Sequence, residues 1–156
     1  MVRLRIVFAA GMSVLLLGGA YVFQYLGYAP CTMCYWQRWP HMAAIAIGAL
    51  ALLLPVRMLG YLGALAALTT AAIGLYHTGV ERDWWEGPTS CTGIGGLDGL
   101  SGTDLLATDG PRLIMCDQVS WELFSLSMAS WNMVFSLVAV VLWIIAARSG
   151  RDIRRA

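Results

Sequence analysis

Apolar residues fall along this chain in four long runs, at 6–26, 35–56, 58–77 and 131–147, with polar segments between them. A helix needs about 20 predominantly apolar residues to cross a hydrocarbon core, and each run is that long or nearly so. The pattern predicts an all-α membrane protein, a four-transmembrane-helix bundle folded as one domain over residues 1–156. Its outer loops fall at about 27–34 and 78–130. Only Arg57 separates the second and third runs, so they are expected to form a tight hairpin. The third and fourth are about fifty residues apart, the one place for a structured extramembrane element. The first run follows Arg3 and Arg5, as a signal peptide would. It is longer than the usual h-region of ~7–15 residues and has no convincing small-x-small cleavage site before Cys31, so it is expected to remain as a helix.

The second run carries an irregularity. Its clean apolar part, 42–56, is 15 residues, or about 22 Å at 1.5 Å per residue, too short for a core of about 30 Å. The helix is therefore expected to begin earlier, near Cys34 to Trp36, carrying Gln37, Arg38 and His41 to the outer lipid boundary. Cys34, Arg38, His41 and Ile45 would then share one helix face. Pro40 is tolerable there because it lies close to the helix start.

Composition supports the membrane reading and charge orients it. Hydrophobic residues make up 59% of the chain and charged residues 12%, against an apolar share of roughly 45–50% in globular domains. One side holds Arg3, Arg5, Arg57, Arg148, Arg151, Arg154 and Arg155 against Asp152 alone, a net +6. The long loop sets Arg82 and Arg112 against eight carboxylates, a net −6. By the positive-inside rule both termini are cytoplasmic. All four cysteines then face outward, which in a bacterial inner membrane is the periplasm, where disulfides persist. Six of the seven tryptophans (Trp36, Trp39, Trp84, Trp85, Trp121 and Trp131) fall on that same side. An interfacial belt is one reading; a surface that holds a planar apolar molecule is the other.

The loop is rich in glycine and holds Pro88 and Pro111, a composition that implies mobility. Leu97, Leu100, Leu105 and Leu106 suggest a short amphipathic turn on the lipid surface.

The chemistry lies in the cysteines. Cys31 and Cys34 form a Cys-x-x-Cys pair, and Cys91 and Cys116 stand in the long loop. Two sulfurs three residues apart at a helix start make a reactive dithiol. A zinc site would want two close ligand pairs, and here the second pair is wide and has no histidine near it. A c-type haem would need histidine directly after Cys34, where Tyr35 stands. For Cys91 and Cys116 a structural staple is the usual choice of an exported loop; slack between them favours a relay in which sulfurs change partners. Arg38 is either a snorkelling anchor or the charge that lowers the Cys34 pKa and stabilises a reduced quinone oxygen. His77 is a polar cap or a ligand contact.

The segments Pro30 to Arg38 (PCTMCYWQR), Tyr76-His77, Glu86 to Cys91 (EGPTSC), Cys116-Asp117 and Leu126 to Asn132 (LSMASWN) together closely resemble the DsbB family of disulfide-bond formation proteins. The resemblance implies a four-helix membrane bundle with a short horizontal helix in the second outer loop. It implies a quinone cofactor, ubiquinone or menaquinone, and a periplasmic DsbA-like thioredoxin-fold partner, with no nucleic acid. Residue by residue, Cys31 and Cys34 match the quinone-facing pair, with Cys34, Arg38 and His77 beside the ring. Cys91 matches the cysteine attacked by the partner, and Cys116 its disulfide mate, which would engage Cys31 transiently. Gln37, where some members carry an acid, and Pro40 depart from the pattern. The implied activity is a quinone-dependent protein-dithiol oxidase. The alternatives are an enzyme of the vitamin K epoxide reductase type and a membrane protein with two purely structural disulfides.

Overall fold

The computed structural model describes residues 2–54, 56–89, 91 and 115–149. Four long helices run through them: α1 (Val2–Tyr25), α2 (Thr32–Leu53), α3 (Arg57–Glu81) and α4 (Met128–Ser149). A two-stranded ribbon, β1 (Glu122–Leu123) and β2 (Leu126–Ser127), precedes α4. α3 packs most extensively on α4 and α2, and α1 lies against α2 and α4, while α1 and α3 barely touch. The helices therefore stand in a square, in chain order. Arg5 of α1 hydrogen-bonds to Ser149 of α4, so the two ends of the helical chain meet at the face opposite the cysteines. The amphipathic turn expected at Leu97 to Leu106, and the glycine-rich slack around it, lie outside the described residues.

The interior is built from small side chains. Ala9, Ala51, Ala64, Ala67, Ala139 and Ala146 are buried with Ile6 around Trp143, whereas Leu15, Tyr25, Leu53 and Leu65 face outward. This is the reverse of a water-soluble core. Lipid gives no hydrophobic reward for burying leucine, so helix contact is won by close approach of small residues. Gly63 shows how close. A Cβ there would lie 2.5 Å from the Trp143 ring, and one on Gly60 would lie 2.6 Å from Ala147 Cα. α1, α3 and α4 are long and apolar enough to cross a membrane. α2 has the length but carries Gln37, Arg38, Pro40 and His41 in its first half.

Each helix differs at its ends from the apolar run that predicted it. α2 begins at Thr32, ahead of the expected Cys34 to Trp36, because Cys31 caps it. It then runs through Pro40 unbroken. α3 continues past His77 to Glu81, and α4 starts at Met128. The turn added to α3 carries Thr78, Gly79 and Glu81, which fall outside an apolar run, whereas Met128 and Ala129 of α4 are apolar residues ahead of the expected start. The ribbon turns at Phe124 and Ser125, both with positive φ (52° and 59°), the conformation a two-residue hairpin requires. Arg82 Nη2 donates to the Ser125 carbonyl at 2.7 Å and Trp131 Nε1 to that of Leu123 at 3.2 Å. Those bonds hold the ribbon over the cysteine end of the bundle.

Candidate active site

Cys31 has extended backbone and its sulfur accepts the Cys34 amide hydrogen at 3.3 Å, so it serves as the N-cap of α2. That cap puts Cys34 in the first helical turn, where unpaired amides and the helix dipole favour negative charge. The two sulfurs are 2.9 Å apart, with the Cys31 thiol donating to Cys34. This hydrogen bond, followed by burial, pushes the Cys31 thiol well above its ordinary range. The proton of the pair is thus held on Cys31, and Cys34 is its acceptor.

Cys91 and Cys116 form a disulfide with a Cα–Cα distance of 5.3 Å. The Cys91 amide donates to the Pro88 carbonyl at 2.8 Å and the Cys116 amide to that of Cys91 at 2.7 Å. The disulfide packs with Cys31, Met33 and Val80 in one apolar cluster. Cys116 is fully buried and Cys91 is only 2% exposed. Cys91 packs against Cys31 and Met33 at the start of α2 and against Val80 in the last turn of α3. The Cys31 and Cys116 sulfurs and a His77 ring nitrogen all lie within 4.8 Å of one another. Three such atoms would suit a metal, but the Cys116 sulfur is bonded to Cys91, which removes the thiolate that zinc takes.

Beneath the sulfurs runs a buried polar network. Gln37 Nε2 donates to the Met33 carbonyl at 3.2 Å and to His77 Nδ1 at 2.8 Å. His77 Nδ1 is therefore an acceptor, and in the neutral ring Nε2 carries the hydrogen. That nitrogen faces the Cys31 sulfur at 3.6 Å and Glu81 Oε1 at 3.8 Å. Glu81 accepts a hydrogen bond from Ser127. On the other side Asn132 Nδ2 donates to Gln37 Oε1 at 2.7 Å and to Thr70 Oγ1 at 3.1 Å. Asn132 Oδ1 meets His41 Nε2 at 2.9 Å. Gln37, Thr70, Asn132, Glu81 and Ser127 were not among the expected site residues. A signal existed for two of them, since Thr70 and Asn132 interrupt apolar runs, and polar groups at membrane depth are kept for a reason.

Arg38 is buried between the Tyr21 and Tyr35 rings, with its guanidinium carbon 4.7 and 5.0 Å from their centroids. Its Nη1 donates to Gln24 Oε1 at 2.7 Å and its Nη2 to the Ala20 carbonyl at 3.4 Å. A snorkelling anchor would reach away from the bundle, but Arg38 points into it. Beside it lies a cavity of about 410 Å³ between α1, α2, α4 and the last turns of α3. Leu16, Phe23, Trp121, Trp131 and Phe135 supply apolar wall, and Cys34, Arg38, His41 and His77 supply polar points. The outer tryptophans thus divide. Trp39 and Trp84 are exposed as a belt would be, while Trp121 and Trp131 line the cavity.

A helical membrane protein that sets a free dithiol against a disulfide at one end of its bundle has the parts of a disulfide-forming membrane oxidoreductase. A family model described as disulfide bond formation protein DsbB matches residues 2–146. The chain belongs to the DsbB family. It is 30% identical over 151 residues to the Disulfide bond formation protein B of Shewanella sp. (strain MR-4), across 91% of this chain and 86% of that protein. The same figures hold for the protein of that name from Shewanella sp. (strain MR-7). No solved structure matches the chain.

Proposed function

We propose that this protein is a four-span thiol:quinone oxidoreductase of a bacterial inner membrane, with both termini cytoplasmic and its cysteines periplasmic. It reoxidises a soluble DsbA-like thioredoxin-fold protein. The observation that carries the reading is the closeness of the Cys31 and Cys116 sulfurs, within 4.8 Å, with Cys31 in the wall of the apolar cavity. In the first exchange a donor thiolate attacks Cys91 and the Cys91–Cys116 bond breaks, leaving Cys116 as thiolate. Cys116 then attacks Cys31 of an oxidised Cys31–Cys34 pair, freeing Cys34. The donor's second thiol closes its own disulfide and releases Cys91, which takes Cys116 back from Cys31. The net result is an oxidised donor, an intact Cys91–Cys116 bond and a Cys31–Cys34 dithiol.

The cavity suits a quinone head group: its walls are apolar and aromatic, and its polar points are few and convergent. Cys34, Arg38 and His77 would hold the ring. When bound, a quinone supplies a two-electron, two-proton acceptor and leaves as quinol. The dithiol gives up those electrons and both thiol protons as Cys31–Cys34 closes. DsbA-type donors are already strong oxidants, so their reoxidation needs an acceptor of this kind. The chain contributes placement, a held proton on Cys31, charge from Arg38 and exclusion of water. Purifying the protein, identifying its co-purifying quinone and assaying oxidation of reduced thioredoxin-fold proteins tests the reading. Quinone-dependent formation of donor disulfide is expected; oxidation unaffected by quinone depletion would overturn it.

A further inference from the structure

A dithiol that closes to a disulfide gives up two protons with its two electrons, and the cavity wall has to route both. One proton sits on the Cys31 thiol, which donates to the Cys34 sulfur at 2.9 Å. Cys34 accepts that bond from the first turn of α2, where negative charge is favoured. Its own proton therefore needs another seat.

Among the described residues, the cavity wall holds four charged or imidazole side chains besides its cysteines: Arg38, His41, His77 and Glu81. Arg38 has only donors. His77 already carries a hydrogen on the nitrogen that faces Cys31, because Gln37 Nε2 donates to its Nδ1 at 2.8 Å. His41 turns Nε2 to Asn132 at 2.9 Å and Thr70 at 3.2 Å, and its Nδ1, without a partner, is sealed from the cavity. Glu81 remains, as the single carboxylate of that wall. Its side chain is 6% exposed, with Oε1 3.8 Å from His77 Nε2 and Oε2 accepting from Ser127. Arg82, the next residue, acts on it by charge, but Arg82 Nη2 is tied to the Ser125 carbonyl at 2.7 Å. The charges of Glu81 and Cys34 act on each other. Like charges around one cavity disfavour each other, so such a pair settles with one proton between them. The cavity, about 410 Å³, has room for a water that bridges sulfur to carboxylate.

We propose that Glu81 takes the proton of the Cys34 thiol, leaving that sulfur a thiolate, and passes it to the ligand as the Cys31–Cys34 bond closes. The inference rests on the quinone-linked reading above. In the first step the Cys34 S–H bond breaks and a Glu81 O–H bond forms, with no change of oxidation state. In the second the two sulfurs supply two electrons as they join. The Cys31 S–H and the Glu81 O–H supply the two protons that leave with the quinol, and Glu81 returns to carboxylate. The Ser127 hydroxyl and the His77 Nε2 hydrogen both point at Glu81 and ready it for that return.

Infrared difference spectroscopy reads the seat directly in quinone-free protein held in lipid nanodiscs. Reduction by dithiothreitol at neutral pH should produce a protonated-carboxyl band that shifts with carbon-13 glutamate. The band should be absent from Glu81→Gln, and absent from Cys34→Ser, which has no thiol proton to shed. In stopped-flow single turnovers, pre-reduced Glu81→Gln should pass electrons to a short-chain ubiquinone about 100-fold more slowly than the parent protein. Its quinone affinity and its exchange with a reduced thioredoxin-fold donor should stay within about twofold. The amide oxygen of that variant still accepts from Ser127, so the ribbon keeps its contact; Glu81→Asp should recover part of the rate. No glutamate band on reduction, a band that survives Cys34→Ser, or Glu81→Gln turning over at the parent rate would overturn the proposal. A carboxyl band in a protein that reduces no quinone would sink the quinone-linked reading and leave the proton seat standing.

Discussion

Asn132→Leu removes the hub of the buried network while keeping side-chain volume. Four hydrogen bonds disappear, with Gln37 Oε1 at 2.7 Å, His41 Nε2 at 2.9 Å, Thr70 Oγ1 at 3.1 Å and Ser136 Oγ at 3.4 Å. Bonds between membrane helices average only about 0.6 kcal/mol each, so the simple loss is about 2 kcal/mol. Two of these groups keep other partners: His41 Nε2 still has Thr70 at 3.2 Å, and Thr70 still donates to the Gln37 carbonyl. Gln37 Oε1 keeps none of the hydrogen bonds described here. An orphaned buried acceptor costs about 1–3 kcal/mol, which argues for a total of about 2–3 kcal/mol. The measurement is the folded fraction, followed by tryptophan fluorescence, as the mole fraction of SDS is raised in mixed micelles. Gln37→Leu should destabilise similarly, and the double variant should fall short of additivity by about 1 kcal/mol, as contacting residues do. A loss below about 0.5 kcal/mol, or full additivity of the pair, would refute the network as a source of stability.

Cys31→Ser should leave Cys34 free to form a coloured thiolate–quinone complex that fades when quinone is extracted; a colourless, quinone-loaded variant would count against Cys34 as the quinone-facing sulfur. Arg38→Met keeps apolar reach but loses the charge and its donors, and should weaken quinone binding by about 10- to 100-fold, the worth of a charged hydrogen bond of about 1.5–3 kcal/mol. Donor exchange with Cys91–Cys116 should persist in that variant, measured by stopped-flow under single-turnover conditions. Cys116→Ser should trap a mixed disulfide between the donor and Cys91 on a non-reducing gel, and Cys91→Ser should trap none; the reverse would invert the relay. Because its pKa is raised, Cys31 should remain a protonated thiol at neutral pH and become reactive only as pH climbs well into the alkaline range. Alkylation of the reduced protein mapped by mass spectrometry should therefore modify Cys34 before Cys31 at neutral pH.

Much of the architecture was legible in the order of residues, because a bilayer imposes a one-dimensional rule. A spanning segment must satisfy its own backbone and present apolar side chains over a set length, so four runs become four helices wherever they pack. Arginine placement and the Cys31, Cys34, Cys91 and Cys116 positions sort to opposite ends by the same logic. The helix ends were not legible, since they rest on a cap at Cys31, on the Thr78 to Glu81 turn that lies outside an apolar run, and on the ribbon that leads directly into α4 at Met128. Nor was the interior of the site. Arg38 and His41 could be placed on one face by helical period, but their partners come from other helices: Gln24 and Tyr21 from α1, Thr70 from α3, Asn132 from α4. Residue 37 and residue 132 touch only because the bundle brings α2 and α4 together across its middle. The burial of Cys91 likewise depends on where the chain folds after α3, not on the glycine and proline around it. A hydrogen-bond network among four helices is a property of their packing, and only the tertiary structure decided which nitrogen of His41 is left bare.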